Sequence, residues 1–437
     1  MATLTFPLSR IEGHARVEIE VTNGQVTATR FQAMEKRGFT LLVQGVPAEQ
    51  MPVIVPRICG VCSTAHHVAA VKALEDAYGV QPPPLAETLR ELLLLGQIIQ
   101  NQATSLFVFT MPDRLNVDSI FHVQEEEADK GVQFGIARRA LKVRQLGTDL
   151  ISLVGGQFIH PIKAVVGGVS SGVESGRAAA FRQRLQAALP TSCELVETYW
   201  EMSQRMKDRI GTWGDDQPAY YITSTQQDLP NYNSSVIRVM TPAGECCTEF
   251  SPRDFRKELN WEEVDYSYAG KTTYGGGVMR ANSLARANMT RKMGTKLADG
   301  FLTRLRDDYG QPAHPILLFD LCRGIELVYA IERAIDLLAK PLDDEDTDVG
   351  YTPQDGEGWG LVEAPRGPLI HHYVIEHGNI AQGEFIIPTV HNMAAIERAL
   401  RVAAERYIRN GSVDMELERA VGRVVRAFDP CIACATH

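Results

Sequence analysis

The sequence lacks an excess of positive charge. Its 44 lysines and arginines face 54 aspartates and glutamates, a formal net charge of −10, and the basic residues are scattered singly without interleaved aromatics. That balance argues against nucleic acid as the main partner and gives a phosphate-binding site no support. A leader is also missing: "MATLTFPLSRIEGH" has no basic head followed by an apolar run, so no signal peptide is expected. The most apolar stretch, "LRELLLLGQIIQNQATSLFVF", is interrupted by Arg90, Glu91, Gln100, Asn101 and Gln102. It is expected to form a helix buried in protein, with no direct membrane span. Internal repeats and a long linker are absent, so one domain is expected over residues 1–437. The eight cysteines do not form the ladder of pairs that staples small secreted domains. Such usage suits a reducing compartment where thiols stay free for metals.

What is present is mostly helical patterning. "TAHHVAAVKALEDAYGV" spaces Ala, Val and Leu as a helix does, with Gly79 placed as its stop. "PPPLAETLRELLLLGQIIQNQATSLFVF" opens on prolines, which suit a helix N-terminus. Further helices are expected in "RAAAFRQRLQAALPTSCELVETYWEMSQRMKDRI", broken at Pro190, in "SLARANMTRKMGTKLADGFLTRLRDDYG", in "HPILLFDLCRGIELVYAIERAIDLLAK" and in "HNMAAIERALRVAAERYIRN". Strands are fewer. "ARVEIEVTNGQVTATRF" alternates around Asn23-Gly24, a hairpin signal because that pair tolerates the positive φ of a tight turn. "GPLIHHYVIEHGNIAQGEFIIPT" also has strand character. The expected fold class is mainly α (α+β): a long buried helical bundle with small peripheral β-sheets.

Two Cys-x-x-Cys pairs stand at opposite ends, Cys59 and Cys62 in "RICGVCSTAHH", and Cys431 and Cys434 in "DPCIACATH". A structural zinc site usually separates its two pairs by only about 12–20 residues. Here nearly the whole chain intervenes, so the site can close only after the fold exists, which is more typical of a catalytic metal centre. Thiolates suit soft or borderline metals such as nickel and iron and do not suit magnesium or calcium. One metal, or two bridged by sulfur, are equally compatible with the spacing.

These motifs resemble the large, catalytic subunit of nickel-iron hydrogenases. "SRIEGHARVEIEV", "GGQFIHPIKAVVGGVSSG", "NSLARANM", "EAPRGPLIHH" and "IIPTVHN" resemble the same family, so the resemblance runs from about Ser9 to His437. It implies reversible heterolytic cleavage of H2 at a buried nickel-iron centre whose iron carries two cyanide ligands and one carbon monoxide. Cys59 and Cys431 would be terminal nickel ligands, and Cys62 and Cys434 would bridge nickel to iron. Arg366 would lie over the metals and donate to a cyanide, a role suited to a planar, permanently charged guanidinium. Thr389 would contact the other cyanide, Ile387 and Pro388 would wall the carbonyl, and Asp429 would pair with Arg366. Glu12 resembles the first proton relay, working beside Cys431. His14, His66 and His160 fall in matching motifs where hydrogen bonding to sulfur would be useful. His67, His371, His372, His377 and His391 are expected to be structural or at the surface, and Cys193, Cys246, Cys247 and Cys322 incidental.

Two departures matter. Many relatives have a glutamate where this chain has Thr40, so the magnesium-like ion that family members hold beside the C-terminal histidine, here His437, is weakly supported. Gln100, Asn101 and Gln102 stand where many relatives place histidines, making the surroundings of the site less basic. The pattern is most like the cytoplasmic multi-subunit branches. A chain stopping at His437 is expected to be the form left after a C-terminal extension is clipped. No further cysteine cluster remains for iron-sulfur centres, so the electron exit would be an iron-sulfur small subunit, followed by flavin or nicotinamide diaphorase-type subunits. The competing readings are a complex I-like scaffold without catalysis and a structural four-cysteine metal protein.

Overall fold

A computed structural model describes residues 2–120, 128–210, 214, 217–225, 229–343, 346–409 and 412–436. Long helices form its centre. Pro84–Ala103 packs on Ala128–Gly155 and on Leu318–Leu337, and the last packs in turn on Ser175–Gln204. Leu318–Leu337 is buried nearly all round: its Leu, Ile, Val and Ala side chains pack into the core, and Asp320, Arg323 and Glu326 among them are buried as well. Among the described residues, Pro84–Leu115 alone is long and apolar enough to cross a membrane, and 83% of its most apolar window is buried inside the protein. The helix widens to a π-turn over Thr104–Thr110, a distortion often found near functional sites. It presents the Phe109 carbonyl to Arg10 Nη1 at 2.7 Å, tying the N-terminal segment to the core.

Local signals are obeyed at most boundaries. The hairpin Ala15–Thr22 to Gln25–Ala33 turns at Asn23 (φ 53°) and Gly24 (φ 79°), and Ala2–Pro7 adds a third antiparallel strand. Gly79, at φ 66°, stops the helix Ser63–Tyr78, and Pro84 starts the next one. The break expected at Pro190 does not occur: Ser175–Gln204 is one helix. Pro190 and Gln186, whose carbonyl loses its N–H partner, are both exposed. Water can satisfy that carbonyl while buried Phe181, Leu185, Leu195, Tyr199 and Trp200 hold the helix to the core.

Among the described residues the strands form three-, six- and three-stranded sheets and two two-stranded pairs. The expectation of peripheral sheets needs amending for Gly356–Ala364, Gly367–Glu376 and Asn379–Ile386, because the middle strand is buried on both faces. This sheet lies directly on the helix Ser63–Tyr78. A Cβ at Gly360 would fall 2.0 Å from the Ala69 carbonyl oxygen, so glycine sets that close approach. The contact fixes the helix that begins just after Cys62 against the strand that ends just before Arg366.

Candidate metal centre

Cys59 ends a short 3-10 turn, Val55–Ile58, and Cys62 caps the N-terminus of Ser63–Tyr78. At the other end of the chain the helix Leu417–Phe428 stops at Asp429, which adopts φ 50°, and Pro430 then turns the backbone toward Cys431. Cys434 lies within the last helical turn, Ile432–Ala435. The two loops meet, as the resemblance implied. Sγ of Cys62 is 3.0 Å from Sγ of Cys434 and 3.5 Å from that of Cys431, and Cys59 approaches Cys431 at 3.3 Å. All four sulfurs lie within 4.8 Å of one another, and all four residues are buried.

Glu12 closes the site. Its backbone makes a parallel bridge to Cys431, and its carbonyl accepts the Ile432 N–H at 3.2 Å. Its Oε2 accepts the Ala433 N–H at 3.0 Å and lies 3.1 Å from Sγ of Cys431. The next residue, Gly13, sits at φ 80°, and a Cβ there would be 2.7 Å from Cβ of Ile432. Burial pushes the Glu12 carboxyl up, with the charge of Cys59 adding to the effect, while hydrogen bonds from Cys431 and Ala433 and the Arg366 charge oppose it.

Arg366 follows the strand Gly356–Ala364 and is 3% exposed. Its Nε donates to the Asp429 carbonyl and its Nη2 to Asp429 Oδ1 at 3.1 Å. Nη1 is buried with no hydrogen-bond partner among the described residues. Burial works against the guanidinium's charge, but Asp429 and the thiols of Cys431, Cys62 and Cys59 outweigh it and hold the pKa high. Arg366, Ile387, Pro388 and Thr389 line one small cavity with Cys62, Cys431 and Cys434. Thr389 Oγ1 accepts the Cys431 N–H at 3.0 Å. Asn101, on the helix Pro84–Ala103, donates to Asp429 Oδ2 at 3.2 Å. A neutral amide thus stands against the carboxylate that orients Arg366.

Of the histidines in the matching motifs, only His66 reaches a sulfur, with Nε2 3.4 Å from Sγ of Cys434. His14 is exposed and pairs with Glu35, and His160 lies in a surface loop. His67 is structural: Nδ1 donates to the Pro52 carbonyl at 2.8 Å and Nε2 accepts from the Ala164 N–H. His371, expected to be structural or at the surface, is buried and bonded to His66, at 2.9 Å. Its strand alternation gave no sign of which helix it would face. Cys193, Cys246, Cys247 and Cys322 are free and outside the cluster. His437 lies outside the described residues; Thr436 is tied down by the Arg37 N–H at 2.7 Å, and Thr40 is partly buried on the short helix Phe39–Leu42.

The donor set fits a soft-metal centre. Four sulfurs at these separations cannot all ionise in a buried site without cations among them, since each thiolate raises the cost of the next. Burial pushes the Cys431 and Cys434 thiols well up, whereas hydrogen bonds from Cys431, Cys434 and Cys62 draw Cys59 down. Nickel and iron would supply the missing positive charge and take thiolates as ligands. The partnerless Arg366 Nη1 in the same cavity also calls for an acceptor that protein atoms do not provide.

Comparison with known proteins agrees with that chemistry. A family model described as nickel-dependent hydrogenase matches residues 37–134 and 217–437, and one described as HoxL-like matches residues 6–35. An F420-non-reducing hydrogenase subunit from Methanothermobacter marburgensis is 30% identical over 100% of this chain and 95% of its own length. The beta subunit of the NAD-reducing hydrogenase HoxS from Cupriavidus necator is 28% identical over 99% of this chain and 93% of its own. Among solved structures, an NAD+-reducing [NiFe]-hydrogenase in the H2-reduced state superposes with a TM-score of 0.91 at 30% identity, each chain covered in full. The Ni-Fe-Se hydrogenase from D. vulgaris Hildenborough, at 22% identity and a TM-score of 0.83 over the full length of both chains, shares the fold. The chain belongs to the nickel-dependent hydrogenase family and is a [NiFe] hydrogenase large subunit, an oxidoreductase acting on hydrogen.

Proposed function

We propose that Cys59, Cys62, Cys431 and Cys434 hold a nickel-iron centre, with Cys59 and Cys431 terminal on nickel and Cys62 and Cys434 bridging to iron. The iron would carry two cyanides and one carbon monoxide. When bound, this centre supplies the reversible heterolytic cleavage of H2. The chain's own residues shape where its ligands and protons go. Arg366, oriented through Nε and Nη2 by Asp429, offers Nη1 to a cyanide. The Thr389 hydroxyl, which already accepts the Cys431 N–H, keeps its proton to donate to the other cyanide. Ile387 and Pro388 give the carbonyl an apolar wall and keep water from it.

Glu12 takes the proton released at the Cys431 sulfur and passes it outward. The observation that carries this reading is the approach of Glu12 Oε2 to Sγ of Cys431 at 3.1 Å beside four clustered sulfurs. The Ala433 N–H fixes that oxygen, so the carboxyl stays within reach as its protonation changes.

Electrons leave to an iron-sulfur small subunit, then to flavin or nicotinamide diaphorase-type subunits, in a cytoplasmic complex. The NAD-reducing and F420-non-reducing hydrogenases among the relatives support a multi-subunit assembly. A magnesium or similar divalent ion beside His437 would gain only a neutral hydroxyl from Thr40, a weak ligand.

Metal analysis of the purified complex tests the assignment. Nickel and iron near one each, lost together with hydrogen-dependent dye reduction in Cys59→Ser or Cys431→Ser, is the expected result. Full activity in either variant overturns it. Zinc alone favours a structural four-cysteine protein, and no metal a scaffold.

A further inference from the structure

A buried hydrogen-bond chain runs away from the centre at Cys434 and has no part in the mechanism above. His66 Nε2 is 3.4 Å from Sγ of Cys434, His66 Nδ1 is 2.9 Å from His371 Nε2, and His371 Nδ1 is 2.7 Å from the Tyr373 hydroxyl. His66, His371 and Tyr373 are each no more than 1% exposed. His371 and Tyr373 lie two residues apart on one face of the strand Gly367–Glu376, and the Phe385 ring packs edge-on to His371 at 4.9 Å.

One arrangement of protons satisfies every link and also places the phenol proton on an acceptor. The Tyr373 hydroxyl donates to His371 Nδ1, His371 Nε2–H donates to His66 Nδ1, and His66 Nε2–H donates to the Cys434 sulfur. Reversing the chain would leave the phenol proton without an acceptor in the core and aim a nitrogen lone pair at an anionic thiolate. A neutral imidazole has one donor and one acceptor, so fixing either nitrogen fixes the other.

We propose that Tyr373 and His371 are positioning residues that lock His66 in the tautomer with its proton on Nε2, so that the Cys434 sulfur always receives an N–H. This rests on the assignment of Cys434 as a metal ligand. A thiolate that accepts a hydrogen bond gives less electron density to its metal. The lock therefore keeps the iron less electron-rich than an unbonded sulfur would, and the carbonyl stretch higher.

Infrared spectra of the purified complex, with nickel and iron content measured on the same samples, test this. Tyr373→Phe removes one hydroxyl at constant volume, and His371→Leu removes the donor to His66. Both are expected to keep the metals and to move the carbonyl band to lower wavenumber, His371→Leu further. His371→Gln, whose amide N–H stands close to the position of Nε2–H, is expected to bring the band back toward the parent position.

Parent-like bands in both Tyr373→Phe and His371→Leu overturn the proposal. So does a shift that His371→Gln leaves in place, since packing alone would then explain it. Loss of metal from Tyr373→Phe would also count against it, because that variant leaves the packing intact. Absence of carbonyl and cyanide bands in the parent would instead defeat the metal-centre reading on which the lock depends.

Discussion

The Glu12 carboxylate and the Cys431 sulfur, 419 residues apart in sequence, lie 3.1 Å apart in the fold. Two backbone links hold them together, the Glu12 carbonyl to the Ile432 N–H and the Ala433 N–H to Glu12 Oε2. The contact is therefore part of how the C-terminal segment docks.

Glu12→Gln keeps the shape and one oxygen acceptor for the Ala433 N–H but cannot carry a proton. The variant is expected to retain nickel and iron while losing most exchange of deuterium gas with solvent protons. Exchange needs protons to move but no net electrons to leave, so a defect in electron transfer cannot imitate the loss. Exchange at the parent rate would move the relay to another group, with Asp429 the next to test.

Arg366→Lys keeps a positive charge but cannot donate at once to the Asp429 carbonyl, to Asp429 Oδ1 and to a third acceptor in a plane. Metal content is expected to hold. Turnover is expected to fall at least tenfold, about 1.4 kcal/mol or more in barrier. An unchanged rate with intact metals would mean that the guanidinium has no contact with the reacting centre.

His67 gives the fold a dependence on pH away from the metal site. Burial draws its pKa from 6.5 down to about 4 in the folded chain. Between those values the unfolded chain binds a proton that the folded chain refuses. Stability is thus fully present above pH 6.5 and declines as the pH falls toward 4, by up to about 1.4 kcal/mol per pH unit from this group. Urea unfolding at pH 7 and pH 5 checks this: His67→Gln should be less stable at pH 7 yet lose less on acidification than the parent. Equal losses in the two proteins would assign the pH dependence elsewhere.

How much of this was legible in the sequence depended on whether the cause was local. The turn at Asn23-Gly24 and the stop at Gly79 are backbone effects of single residues, and both stand where the sequence placed them. The meeting of the two cysteine pairs was legible from chemistry, because soft metals need thiolates and no nearer set was available. The cluster of Arg286 with Glu326 and Glu363 was not. Three charges from distant segments are buried together there, Gln102 donates to Glu326, and Asn101 bridges from Gln102 to Asp429. Pattern alone gives such residues to solvent, and only tertiary packing brings them together. The link from His371 to His66 is illegible for the same reason: alternation along a strand assigns a face but not the histidine on the helix packed against it.

The account stands or falls on whether these four sulfurs hold a nickel-iron pair with diatomic ligands on iron. The most direct measurement is the infrared spectrum of the purified complex in the window between protein absorption bands. The account predicts one carbonyl and two cyanide stretches, all absent from Cys59→Ser. A parent spectrum empty in that window, from protein that reduces a dye with hydrogen, would contradict it.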